Sequence, residues 1–139
     1  MKYSLKLFLI LFFSIGLSAQ SLSGEWGYRM DGDQITIIGD KIINETKYLN
    51  NGGKSGTLKL KIYATRNPYN GGTINGYTLH EYRLDPLEGG YQYNDISNRG
   101  WRHLPPVGRW AITIVLLEYN GGYKIVDYRS MSKTMTVSR

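Results

Sequence analysis

Between Thr57 and Ala64 the chain reads TLKLKIYA, with Leu58, Leu60 and Ile62 alternating against Lys59, Lys61 and Tyr63. A period of two marks a strand with one buried and one solvated face, because successive side chains point to opposite sides of a sheet. A second stretch, Arg109 to Ser130, is apolar on both faces of its first half. Trp110, Ile112, Ile114 and Leu116 lie on one face, and Ala111, Val115 and Leu117 on the other. Such a strand belongs in the middle of a core, covered above and below. Asn120-Gly121-Gly122 supplies the positive φ angles of a tight loop, so the stretch is predicted to be a hairpin.

The remaining pattern predicts shorter pieces. Gly24 to Met30 reads as a strand and Asp31-Gly32-Asp33 as a turn. Gln34 to Ile38 and Asp40 to Asn44 read as two short strands parted by Gly39. Lys47 to Lys54 and Arg66 to Gly76 are polar and rich in Asn and Gly, hence loops. Tyr77 to Arg83 and Gly90 to Asn94 are further strand candidates. Asn98 to Gly108, holding Pro105-Pro106, is expected to be an irregular crossing, and Ser132 to Arg139 an edge strand or a polar tail. Tyr69-Asn70-Gly71-Gly72 recurs as Tyr119-Asn120-Gly121-Gly122, but the flanking residues differ, so reuse of one turn chemistry explains it. No window sustains a 3.6-residue period. Many short strands with turn signals between them predict an all-β fold, an antiparallel β-sandwich (immunoglobulin-like or similar) in a single domain.

The first 19 residues are a different object. Lys2 and Lys6 precede an apolar run from Leu7 to Leu17, and Gly16-Leu17-Ser18-Ala19 then gives way to Gln20. This is the order of a secretory signal peptide cleaved after Ala19, leaving residues 20–139 as the domain. The alternative, a membrane anchor, needs roughly 17–25 apolar residues, more than this run provides. No cysteine follows the run, which excludes a lipid-anchored lipoprotein. The expected address is secreted, periplasmic or cell-surface.

Composition changes this picture in two ways. The chain has no cysteine, so a domain headed for an oxidising compartment must hold its core without disulfides. All three phenylalanines fall in the leader, so tyrosine and tryptophan carry the aromatic burden of the mature part. Without the leader, 15 basic residues face 11 acidic ones, a net of +4. The charges are scattered; Lys59/Lys61 and Arg99/Arg102/His103 form the densest groups. A solvated surface accounts for this better than a nucleic-acid footprint, which needs a contiguous patch.

The ordered motifs SGTLKLKIYA (Ser55 to Ala64), PYNGG (Pro68 to Gly72), GYTL (Gly76 to Leu79), LEGGYQY (Leu87 to Tyr93), PPVGRW (Pro105 to Trp110), LEY (Leu117 to Tyr119) and Asp127-Tyr128 carry a resemblance. The chain resembles a small β-sandwich module of secreted bacterial proteins, found alone or appended to hydrolases, over about residues 34–130. Tyr63 stands where that pattern has Trp, and Trp110 where it has Tyr. The resemblance implies architecture and a secreted setting, and it carries no catalytic residue.

Candidate chemistry is sparse. Nucleophilic catalysis needs a Ser or Cys beside a base, and the histidines are His80, expected outward-facing mid-strand, and His103 in the crossing. No HxH or HExxH spacing suggests zinc, and no cofactor is expected. Asp31-Gly32-Asp33 lacks the remaining ligands of a calcium loop. Glu118 and Asp127 make a poor acid/base pair in either register: a three-residue loop sets Tyr119 opposite Tyr123 and Glu118 opposite Lys124, with Asp127 on the other face, and a two-residue loop sets the carboxylates on one face but several residues apart. A Glu118–Lys124 ion pair is the better expectation. Asn44-Glu45-Thr46 is a formal glycosylation sequon. The aromatics without an obvious core position are Tyr69, Tyr91, Tyr93 and Trp101. Flat rings beside Asn and Arg donors suit sugars; the competing account is that they cap the sandwich in place of phenylalanine. The expectation is a non-catalytic binding or accessory module for surface or extracellular polysaccharide. A structural protein-interaction domain pairing through a strand edge is the alternative, and a small hydrolase using Glu81, Asp85 or Glu118 a third.

Overall fold

The computed structural model describes residues 19–46 and 53–139. The expected leader, apart from Ala19, and most of the loop expected at Lys47 to Lys54 lie outside the described residues. Eight strands follow in order: β1 (Gln20–Asp31), β2 (Gln34–Asn44), β3 (Leu58–Thr65), β4 (Tyr77–Leu84), β5 (Gln92–Trp101), β6 (Gly108–Tyr119), β7 (Tyr123–Ser130) and β8 (Met135–Val137). They form two antiparallel sheets, β1-β2-β5 and β4-β3-β6-β7, with β8 paired to the start of β6. In immunoglobulin lettering these are A-B-E facing C′-C-F-G, so the expected sandwich is present with the fourth strand on the sheet of the third.

The alternation in β3 does what a period of two requires. Leu58, Leu60 and Ile62 are fully buried and meet Ile112, Ile114 and Leu116 of β6 and Ile35, Ile37 and Ile42 of β2 in one core. Each such side chain contributes about 1.5–3 kcal/mol on burial. The opposite face of β6 is also buried, with Thr113 and Val115 inaccessible, but its cover is not a second sheet. Lys61 of β3 and Tyr128 of β7 flank Val115, Tyr63 and Ser130 flank Thr113, and Lys59 lays its ammonium 4.2 Å from the centre of the Tyr123 ring. Long amphipathic side chains therefore roof this face, their apolar parts over the strand and their polar tips in water.

Several expectations change in detail. β2 runs unbroken through Gly39, because Gly39 opposes Trp26 of β1 and a Cβ there would land inside the indole. The glycine makes room for an aromatic and does not end a strand. β5 continues to Trp101, so the first residues of the expected crossing are strand, and the last segment contributes the short β8. Trp110, near the start of β6, donates its indole N–H to the Pro106 carbonyl at 2.8 Å. That is the bond of a tyrosine corner made by tryptophan, with Arg66 stacked 4.3 Å from the Trp110 ring centre and Tyr77 against its edge.

Both open flanks of the sandwich are pinned by side chains. On one, Asp127 accepts from the Leu22 amide at 2.7 Å, while Arg129 donates to the carbonyls of Gly24 and Leu22. On the other, His80 donates to the Asn98 side-chain oxygen at 2.7 Å. His80 opposes the buried Ile62, so it points between the sheets and not outward as expected. Asn44 of the sequon is fully buried, its amide donating to the carbonyls of Gly53 and Leu87.

Candidate functional site

Three strands shape the outer face of the β1-β2-β5 sheet. Ile35 and Ile37 point into the core, so alternation turns Gln34, Thr36 and Ile38 outward. Antiparallel register then aligns them in rows. Asp31, Gln34 and Trp101 form one row, Arg29, Thr36 and Arg99 the next, and Gly27, Ile38 and Ser97 the third. With strands about 4.8 Å apart and about 6.8 Å between successive same-face residues, the rows tile a three-stranded platform.

Trp101 dominates it. It is 65% exposed, whereas the other two tryptophans, Trp26 and Trp110, pack against the core. Arg99, two residues back on the same face, is exposed and has no hydrogen-bond or ion-pair partner among the described residues. Arg29 binds Asp31 through Nε at 2.9 Å, and both are more than half exposed, so the pair is worth little to stability. Thr36, between the two arginines, is only 3% exposed although it faces outward. Gln34 opposes Trp101 directly and offers an amide beside the indole.

The other predicted aromatics do not gather here. Tyr91 is 64% exposed but lies ten residues from Trp101, roughly 30 Å along an extended strand. Tyr93 turns inward against the core and donates its hydroxyl to the Asp85 carbonyl at 2.8 Å. Tyr69 sits on the β3–β4 loop beside the other sheet, its ring edge-on to Tyr128 at 4.8 Å and its hydroxyl bonded to the Gly72 carbonyl. Tyr69 and Tyr93 thus have local structural work, Tyr91 is exposed far along the strand, and of the four Trp101 alone stands on this platform. Arg29, Gln34, Thr36 and Arg99 were missed, although the alternation of Gln34 to Ile38 already set Gln34 and Thr36 on one face.

The carboxylates that suggested hydrolysis are held by the fold. Glu118 accepts from the Gly56 amide at 2.9 Å, and no Glu118–Lys124 ion pair forms, although the two residues oppose each other as predicted. The backbone amide wins because it is fixed and unpaired, whereas Lys124 is exposed and stays hydrated. Glu81 bridges Lys59 at 3.1 Å and Lys61 at 3.5 Å. Partial burial pushes its pKa up, but the Lys59 hydrogen bond and both lysine charges outweigh that and hold it below the ordinary carboxylate value. Asp85 is exposed on the β4–β5 connection. Among the described residues no three His, Cys, Asp or Glu side chains converge as a metal site would require.

Two adjoining hollows, about 350 and 460 Å³, run along the open edge of β1. They are lined by Tyr28 and Met30 on one side and by Leu104, Met131, Met135 and Val137 on the other. A third, about 380 Å³, lies within the polar β3–β4 loop.

Neither a family model nor a curated protein matches the chain. Among solved structures, it is similar to part of a β-glucosidase from Kluyveromyces marxianus in complex with glucose, at 10% identity and a TM-score of 0.42. That similarity covers 88% of this chain and 15% of that one. Similarity to β-glucosidase 3B from Thermotoga neapolitana is alike, at 13% identity and a TM-score of 0.41, covering 81% of this chain and 16% of that one. This chain therefore spans less than a fifth of either enzyme's length.

Proposed function

We propose that the protein is an exported, non-catalytic binding module that holds a surface or extracellular polysaccharide against the outer face of the β1-β2-β5 sheet. The observation that carries this reading is the largely exposed Trp101 on an outer sheet face, beside the amide of Gln34 and near Arg99, whose guanidinium has no partner among the described residues. An indole presents an apolar face to the C–H side of a pyranose, while neighbouring planar donors reach its hydroxyls. The leader-like start and the motif resemblance to a module of secreted proteins support the setting. The engagement of Glu118 and Glu81 in structural contacts supports the non-catalytic part.

Titration of residues 20–139 with a panel of soluble polysaccharides, beside Trp101→Ala, tests the reading. Binding that weakens at least about tenfold, or roughly 1.4 kcal/mol, in the variant is the expected result. A folded parent chain that binds no glycan overturns it.

A protein-interaction role has one observation of its own. The two-residue turn closes on Asp31–Gln34, so Tyr28 and Met30 direct their backbone groups to the open side of β1, along the methionine-lined hollow. On this reading Trp101→Ala changes nothing and sizing experiments show association through that edge.

A further inference from the structure

The platform carries a second piece of chemistry besides a stacking ring. Two arginines lie in the row next to Trp101, and the one acidic side chain among the three rows, Asp31, is already bound to Arg29. Arg99 is therefore a cation with nothing to neutralise it among the described residues, about 6.8 Å along the strand from the indole. A ring stacked on Trp101 would carry its exocyclic groups toward that guanidinium. Arginine offers a planar fork of N–H donors, the geometry that matches a carboxylate or sulfate in two parallel bonds.

We infer that the ligand of this face is an anionic sugar, carboxylated or sulfated, with its ring on Trp101 and its charge on Arg99. The inference rests on the polysaccharide reading above and narrows its substrate class. Beyond the third row, where the pairing of β1 with β2 is broken by a bulge, the exposed charges are mixed: Asp40, which accepts from the Glu25 amide at 2.8 Å, Lys41 and Asp95. The anion is therefore placed at the Trp101 end of the face. A net charge of +4 on the mature chain favours the encounter.

The test titrates the folded 20–139 chain with a galacturonate tetramer, its methyl ester, a sulfated galactan oligomer, a neutral glucan oligomer and an oligothymidine. Trp101→Ala and Arg99→Gln are run beside the parent. The expected result is tighter binding of the acid than of its ester or the neutral glucan, weakened about tenfold by Arg99→Gln and by added salt. Preference for the sulfated over the carboxylated oligomer names the anion and supports the inference equally. Neutral and acidic sugars bound alike, with loss on Trp101→Ala but none on Arg99→Gln, overturn the anionic inference and leave the sugar-binding reading standing. No sugar bound by the folded parent overturns both, and tighter binding of oligothymidine replaces the ligand class with single-stranded nucleic acid.

Discussion

Gly39 shows how one residue can mislead at the level of sequence and still be decisive in the fold. A glycine between two β-branched runs looks like punctuation. In the sandwich it is the only side chain small enough to let the Trp26 indole lie across β2, where the indole N–H reaches the Ser23 carbonyl at 3.0 Å. Gly39→Ala forces the indole away from its bed, an overpacking cost of about 1–3 kcal/mol. Gly27, on the same sheet, has nothing within 4 Å of where its Cβ would lie. Gly27→Ala should therefore change stability by no more than about 0.5 kcal/mol. Urea unfolding of the two variants beside the parent separates them, and equal midpoints would mean that the Trp26 bed is not the reason for a glycine at position 39.

Among the elements, legibility followed how local the cause was. The alternation of β3 and the Asn120-Gly121-Gly122 turn are written in adjacent residues: Leu58, Leu60 and Ile62 are buried as expected, and of the two registers open to the turn the structure takes the three-residue one, pairing Tyr119 with Tyr123 and Glu118 with Lys124. The end of β5 was not legible in this way. Arg99 and Trp101 are strand residues because β2 lies beside them, and nothing in Asn98 to Gly108 announces that neighbour. The platform was therefore half visible: Trp101 was marked as an aromatic without cover, while its partners needed the register. Asn44 is another residue whose meaning is non-local. The end of β2, the segment before β3 and the β4–β5 connection meet at its side chain, which donates to two carbonyls and accepts from the Thr46 amide at 3.1 Å. Asn44→Ala removes all three bonds; the Leu87 carbonyl keeps the Ser55 amide at 2.9 Å, while the partly buried Gly53 carbonyl and Thr46 amide lose this partner, at about 1–3 kcal/mol in total. Its thermal midpoint should fall well below the parent's, and an unchanged midpoint would show that the three segments hold one another without it. The same burial keeps the sequon closed to glycosylation in the folded chain.

Taken whole, the described residues contain no phenylalanine and rely on tyrosines whose hydroxyls must be kept protonated, and this sets how stability depends on pH. Burial raises the phenol of Tyr82 to about 12, with the nearby Tyr93 adding to it. Burial also raises Tyr28, Tyr69 and Tyr93, the last two helped by Tyr128 and Asp85 respectively. In the unfolded chain such phenols ionise near pH 10. Above that pH the unfolded state gives up protons that the folded state still holds, so stability is full below about pH 10 and falls as pH rises toward 12. Glu81 works in the opposite sense. Its lowered pKa contributes stability above the ordinary carboxylate range, lost as pH falls through the folded value. Glu81 is 43% exposed, so solvent screening limits that contribution to a fraction of about 1 kcal/mol. The alkaline limb should therefore be the steeper one. Melting temperatures from pH 3 to 12 should show it, with Tyr82→Phe flattening the fall above pH 10 and Glu81→Gln removing a shallow, salt-sensitive step on the acid side. A Tyr82→Phe chain that still loses stability as steeply as its parent would shift the alkaline limb from the core phenol to the tyrosines at the rim.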